Sequence, residues 1–342
     1  MWSRSIASVG AGDVSVSCAA HRGLDANDVN RALHQVIEAG LDLIDVAAEE
    51  AAEQLVADAI RALRVRDRVI AAYRVPAITA RLGIPTRDTL PERLPPRYLV
   101  ERVESILRAT RLDAIPLAQL TVRAVWRASR AWPEVVGTCE RLVREGKVLD
   151  WAAFVDTVED DTLELTTEEP WFAAISVPFS LCERAADPIV LSAASVSAAP
   201  ATTAAAERKL AVLARRPLAG AALAGTLGPG VKFRLHDERR TIDDRALERV
   251  AVGAAKLAPF AKQTPPAARS SEAAKAQLEK NRRPDHVHAQ TVAELALRYV
   301  VTRGAIALPR LHRIEHVADA LIAAHSPPLP ADLVAQLEQL DM

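Results

Sequence analysis

Three carboxylates follow a short apolar run near the start of the chain, in the stretch LDLIDVAAEE (41–50). Asp45 ends the apolar run, Glu49 and Glu50 precede a helical pattern, and Tyr73 closes the next apolar run. A carboxylate at the end of a buried strand can have a raised pKa and act as a general base, with a tyrosine as weak acid. Such a set would suit isomerisation, dehydration or cyclisation. The alternative is structural: Asp45 caps the next helix, and the two glutamates favour its N-terminal dipole.

Elsewhere the sequence offers no recognisable catalytic or metal-binding pattern. The segment DHVH (285–288) alternates ligand types but lacks a third ligand at a recognisable spacing, which favours an exposed turn and predicts no metal site. Cys18, Cys139 and Cys182 lie far apart and form no CxxC pair, so they are interpreted as free thiols. A P-loop, a GxGxxG motif and a Ser-His-Asp arrangement are not recognisable.

The elements that must position these residues alternate regularly. Apolar runs are followed by amphipathic segments in which hydrophobic residues recur at three and four. Strands that are apolar throughout predict a parallel sheet buried on both faces, and eight of them predict a (β/α)8 barrel, preceded by an N-terminal β-hairpin around 10–13. The predicted strands are 16–20, 41–45, 69–73, 113–120, 148–154, 172–177, 210–214 and 305–308.

Three stretches interrupt this alternation. Residues 83–96 are rich in proline and charge and predict a loop, and 192–206 are an Ala/Ser/Thr segment that predicts an extended or mobile helix. Residues 227–284 form a long insertion after strand seven, within one domain that spans 1–342. Because loops after barrel strands build the active face, the insertion either covers that face or is an uninvolved elaboration of the surface.

Composition restricts the class of protein. The chain has 342 residues, half of them hydrophobic, with a formal net charge of −1. This balance gives no reason to expect nucleic acid or an anionic membrane as a partner. No apolar run approaches the roughly 20 residues that span a bilayer, and no signal-like N-terminus is present. We therefore expect a cytoplasmic protein.

The order and wording of the segments resemble the aldo-keto reductase family across nearly the whole chain. This resemblance implies the same (β/α)8 barrel and an active site at the carboxyl ends of its strands. The segments that carry it are GDVSVS (12–17), EAGLDLIDVA (38–47), PPRYLVERVESILRATRLDAIPLAQL (95–120), EGKV (145–148), VPFSLCER (177–184), LARRPLAG (213–220) and LPRLHRIEHVADAL (308–321).

The resemblance also implies a four-residue reduction site, of which this sequence keeps one member. Asp45 matches the family's aspartate, whereas Glu50 stands where its proton-donating tyrosine belongs. No lysine precedes Lys147, so the strand-three lysine is absent, and Tyr73 is placed in its position. Thr121 matches the strand-four histidine. Ordinary carbonyl reduction by the family's mechanism is therefore not expected.

The cofactor site that the resemblance implies is also altered. The Ser-Asn pair that grips the nicotinamide carboxamide after strand five is replaced by Phe154 and Val155. The expected cofactor is therefore none, or a vestigial NADP(H). Residues matching the family's nucleotide-binding positions are Ser176, Phe179, Arg216, Leu218, Gly220 and Arg310.

Three functions remain open from the sequence. The first is a degenerate homologue that binds an unknown protein partner or small-molecule ligand, as a scaffold or regulator. The second is a repurposed acid–base enzyme that uses Asp45, Glu49, Glu50 and Tyr73. The third is an atypical NADPH-dependent oxidoreductase.

Overall fold

Eight parallel strands follow one another round the sheet in the computed structural model of this protein. Each pairs with its neighbour in chain order, from β1–β2 to β7–β8, which confirms the predicted (β/α)8 barrel. The residues that the structure describes are 16–18, 26–79, 85–198, 210–224, 227–233, 243–261, 289, 291–310 and 314–340. The strands are β1 Val16–Cys18, β2 Leu43–Val46, β3 Ile70–Val75, β4 Ile115–Thr121, β5 Val148–Phe154, β6 Phe172–Pro178, β7 Ala211–Arg215 and β8 Ile306–Leu308.

Helices occupy the connections between the strands and pack against the outer face of the sheet. They are α1 Ala26–Glu38, α2 Glu50–Leu63, α3 Leu90–Arg93, α4 Pro96–Thr110, α5 Trp132–Arg144, α6 Glu164–Thr167, α7 Asp187–Ala198, α8 Asp244–Ala255, α9 Val292–Thr302, α10 Ile314–His325 and α11 Ala331–Glu338. None of these described helices is long and apolar enough to cross a membrane.

Two hydrophobic cores follow from the alternation of side chains along each strand. The larger one lies between the strands and the helices and contains Tyr73 and Phe179. The smaller one fills the inside of the barrel. Its buried members are Leu43, Ile70, Ala72, Leu117, Ala152, Ala174, Leu213, Ile306 and Leu308.

The stretches that interrupt the alternation are described only in part. The predicted loop at 83–96 contains a short helix, α3, because Leu90 and Leu94 are both fully buried there. The segment 192–206 begins inside α7, and its remainder lies outside the described residues. Within the insertion, α8 lies against the turn that holds Leu223, close to the end of β7, and Leu247 is its buried residue. The predicted N-terminal hairpin lies outside the described residues. Within the insertion, the structure describes 227–233 and 243–261.

Candidate functional site at the barrel mouth

Six side chains face inward just above the inner core, at the carboxyl ends of their strands. Each lies two residues after a member of the inner core, so the period of two along a strand places it on the same inner face. We call this ring the barrel mouth. Its members are Asp45 on β2, Arg74 on β3, Gln119 on β4, Phe154 on β5, Ser176 on β6 and Arg215 on β7.

Asp45 is held by its two neighbours in the barrel mouth. Its carboxylate is only 1 % exposed. Arg74 donates from Nη2 to Oδ2 at 2.6 Å, and Gln119 donates from Nε2 to Oδ1 at 2.7 Å. The amide of Gln119 also donates to the carbonyl of Ala72, which fixes its orientation. Both oxygens of Asp45 are therefore engaged inside the barrel, and the N-cap of α2 is Glu49 rather than Asp45.

Two guanidinium groups lie over the aromatic ring of Phe154. The guanidinium carbon of Arg215 lies 3.8 Å from the centroid of its ring, and that of Arg74 lies 4.5 Å away. A guanidinium over an aromatic ring is attracted by the ring quadrupole, and more strongly where water is excluded. Arg215 also donates from Nη2 to the carbonyl of Val155 and lies 3.7 Å from Asp156. Arg215 thus reaches across the barrel mouth from β7 to the end of β5.

Burial changes the ionisation of Arg215. Its pKa is lowered to about 10, mainly by loss of solvent; Asp156 and Asp45 act to raise the pKa, and Arg74 acts to lower it. The group therefore remains protonated at neutral pH, although burial and the nearby cation both disfavour its charge.

A second ion pair, between Glu53 and Arg102, contacts the backbone of Arg74. Glu53 on α2 is 1 % exposed and accepts a hydrogen bond from Nη2 of Arg102 on α4, whose side chain is 15 % exposed. The same Nη2 donates to the backbone carbonyl of Arg74 at 3.1 Å. This pair therefore ties both helices to the strand that presents Arg74.

The structure separates the predicted carboxylate cluster. Glu49 and Glu50 are exposed, and Glu50 accepts a hydrogen bond from Gln54 on the outside of α2 at 3.0 Å. Glu49 occupies the N-cap position without a capping hydrogen bond from its side chain. Glu50 lies in the first turn of α2, where its charge favours the helix dipole as the structural alternative proposed, and Glu53 of the same turn, which that alternative did not name, does the same.

Strand three presents Arg74, rather than Tyr73, to Asp45. Tyr73 is fully buried on the opposite face of β3, within the outer core. Thr121 lies half-buried at the end of β4, two residues after Gln119, beside Phe154 in the register. Arg74, Gln119 and Arg215 were thus not predicted from the sequence, although the period-two alternation that starts from Asp45 and the apolar runs could have found them.

The predicted nucleotide-binding residues are also dispersed. Ser176 faces the barrel mouth and is fully buried. Phe179 is fully buried as well, but its ring stacks near Tyr299 of α9, with centroids 6.3 Å apart, so it packs into the outer core. Arg310 is exposed, directly after β8.

The remaining candidates lie in the loop after β7, where several residues have positive φ. Arg216 has φ of 57° and forms an ion pair with Glu183 at 2.9 Å. Gly220, with φ of 68°, lies between Ala219 and Ala221, which also have positive φ. Leu218 packs partly buried against the outer core.

The other sequence candidates lie away from this site. The segment 285–288 lies outside the described residues, as does the side chain of Cys18. Cys139 is buried and Cys182 is exposed, and both are free thiols. Among the described residues, no group of three or more acidic, histidine or cysteine side chains is arranged to hold a metal ion.

Comparison with known proteins agrees with this fold. A family model described as "Aldo/keto reductase family" matches residues 10–342. An aldo/keto reductase from Klebsiella pneumoniae, solved with NADP and acetate, is 21% identical with a TM-score of 0.57; the match covers 95% of this chain and 90% of that one. A glycerol dehydrogenase from Gluconobacter oxydans is 17% identical with a TM-score of 0.64, over 95% and 89%.

A third solved structure, an aldo-keto reductase from Bacillus halodurans in its holo form, is 17% identical with a TM-score of 0.58, over 96% of this chain and 91% of that one. At these identities the solved structures support the fold alone. No protein of curated function matches the sequence. The family match extends over nearly the whole length, and on that ground the chain is a member of the aldo/keto reductase family.

Proposed function

We propose that this chain does not reduce carbonyls by the mechanism that the family resemblance implies, and that it acts instead as a binding protein through its barrel mouth. The observation that carries the proposal is the engagement of Asp45 by Arg74 and Gln119. In the implied mechanism a tyrosine gives a proton to the carbonyl oxygen, helped by a lysine and by this aspartate. A guanidinium keeps its proton in proteins, and an amide has none to transfer at neutral pH.

The nicotinamide half of NADP(H) does not fit the residues of this mouth. Phe154 and Val155 stand where the resemblance places the two residues that grip the carboxamide. Arg215 lies over the ring of the first and donates to the carbonyl of the second. Phe179, the candidate for stacking, packs into the outer core. We therefore derive no step through the cofactor and propose that any remaining NADP(H) binding is vestigial and confined to the phosphate end, near Arg216 and Arg310.

The acid–base alternative has less support. As drawn from the sequence, it brings several carboxyl groups into one site, so that one can be held protonated by its surroundings. Asp45 is buried and paired, whereas Glu49 and Glu50 face solvent on the helix side. Tyr73 lies on the other face of its strand, in the outer core. The four groups that this mechanism would combine are therefore separated.

Turnover of NADPH with a panel of aldehydes and ketones tests the proposal. We expect no rate above a blank without protein. A rate that depends on the carbonyl substrate and falls on Asp45→Asn substitution would establish an atypical oxidoreductase instead.

A further inference from the structure

We propose that the barrel mouth binds a small oxyanion, a carboxylate or a phosphate group, between the guanidinium groups of Arg74 and Arg215, with the hydroxyl of Ser176 as a further donor. This inference rests on the proposed function, because a nicotinamide ring would compete for the same space. It names the chemical class of ligand that a binding protein built on this mouth would take.

The charges in the barrel mouth are not balanced. Arg74 and Arg215 both lie on the ring of Phe154, and the single buried carboxylate there, Asp45, is paired with Arg74. Among the described residues, Asp156 is the only acidic neighbour of Arg215 within ion-pair distance, and its side chain is 62% exposed. An exposed pair is screened by solvent and compensates a buried cation poorly. A bound anion would supply the missing negative charge.

Donor atoms without a partner lie in the same ring. Ser176 is 0% exposed, and its Oγ has no hydrogen-bond partner among the described residues. The buried Nε atoms of Arg74 and Arg215 likewise lack a partner within the described part of the chain. A buried polar atom without a partner costs free energy, and such atoms in native proteins call for an explanation such as a ligand. Guanidinium groups match the geometry of carboxylate and phosphate oxygens.

A buried acceptor atom on Gln119 restricts where the oxyanion can lie within the barrel mouth. Oε1 of Gln119 is also buried without a partner among the described residues, and it would repel an oxyanion placed against it. Ser176 pairs in register with Phe154, on the side of the mouth away from Gln119. The guanidinium side chains of Arg74 and Arg215 remain 24% and 13% exposed, so solvent reaches both. We therefore place the oxyanion above Phe154 and Ser176.

Calorimetric titration of the full chain tests this site. Sodium succinate and sodium phosphate would be titrated separately at about 0.15 M ionic strength, held constant with potassium chloride. We expect saturable binding of at least one of them, and the one that binds more tightly identifies the oxyanion as a carboxylate or a phosphate. Heats no larger than those of added potassium chloride for both anions would overturn the proposal.

Variants assign the binding to the mouth. Arg215→Gln should weaken it by about tenfold or more, since one hydrogen bond to a charged group is lost together with a charge. Ser176→Ala removes only the unpartnered hydroxyl, so it should fold normally and still weaken binding by several-fold. Arg97→Gln removes an exposed arginine on α4 and should leave the affinity within about twofold. Equal affinities in folded Ser176→Ala and wild-type protein would contradict the assignment.

The two proposals fail separately in these experiments. Turnover of NADPH with a carbonyl substrate would refute the proposed function whatever the anion titrations give. Absence of both turnover and anion binding would refute only the oxyanion site.

Discussion

Arg74 and Asp45 form an ion pair across β2 and β3, with Nη2 of the arginine 2.6 Å from Oδ2 of the aspartate. The family resemblance places a lysine on strand three to work with this aspartate, and here the cation next to it is a guanidinium. The charge is thereby retained, but the group holds its proton much more firmly than an ammonium does. The pair therefore stabilises the barrel mouth without preserving the implied acid catalysis.

Removing either partner of this pair should have unequal effects. Arg74→Ala leaves the buried carboxylate of Asp45 without its cation and should lower the free energy of unfolding by about 3–5 kcal/mol. Asp45→Asn leaves an arginine that is 24% exposed and can be hydrated, so it should cost about 1–3 kcal/mol. Urea denaturation followed by circular dichroism measures both. A smaller loss for Arg74→Ala than for Asp45→Asn would show that the pair is not buried as described.

The ion pair between Glu53 and Arg102 should stabilise the fold about as much as the pair between Arg74 and Asp45. Arg102→Ala leaves Glu53 buried without its cation and removes the hydrogen bond to the carbonyl of Arg74, so we expect a loss of about 3–5 kcal/mol in unfolding free energy. Arg97→Ala on the same helix is the matched control, because its pair with Glu101 is exposed, and it should cost less than about 1 kcal/mol. Similar losses for the two variants in urea would contradict this account.

Restoring the missing catalytic groups should not restore reduction. The triple substitution Glu50→Tyr, Arg74→Lys and Thr121→His supplies the three residue types that the resemblance implies, although the side chain at position 50 faces solvent on α2. Arg215 still lies over Phe154 and contacts Val155 in that variant, so we expect no NADPH turnover with aldehydes above the blank. Regained turnover, in a variant shown to be folded, would mean that the nicotinamide seat is intact and only the proton relay was lost.

Two cysteines should differ in reactivity. Burial raises the pKa of the Cys139 thiol well above its usual range, and this residue is fully buried in α5. Cys182 is exposed, and its pKa is raised by partial desolvation and by Glu183. The thiolate is the nucleophile, and a raised pKa means that less of it is present at a given pH. Alkylation of Cys182 should therefore keep accelerating as the pH rises above about 8.5, the usual pKa of a free thiol. Peptide mapping after iodoacetamide treatment would show it, with Cys139 labelled only in urea.

The sequence predicted the barrel because periodicity identifies long elements well. It placed the ends of five strands one or two residues early. Among them, β3 was predicted to end at 73 and extends to Val75, and β7 was predicted to end at 214 and extends to Arg215. Both guanidinium groups of the barrel mouth lie in those final residues. An arginine at the end of an apolar run is typical of an exposed loop, and only the period-two alternation, continued past the predicted strand ends, would have placed Arg74 and Arg215 on the inner face.

For Asp45, the sequence predicted the position but not the hydrogen-bond partners. Its position at the end of strand two was correctly predicted, since the register places it on β2 beside Ala72. Its partners were not, because Gln119 and Arg74 are 74 and 29 residues away in sequence and meet it only through strand order. Glu50 follows Asp45 by only five residues, yet the first turn of α2 carries it to the exposed surface.

Titration of the wild-type chain with NADPH, followed by calorimetry, measures whether the barrel mouth still accepts the nicotinamide end. We expect NADPH to bind weakly or not at all, and we expect Arg215→Ala, which clears the ring of Phe154, to raise its affinity. Stoichiometric binding of NADPH to the wild-type chain with a micromolar or lower Kd would contradict it, because the nicotinamide end would then have a seat that Arg215 does not fill.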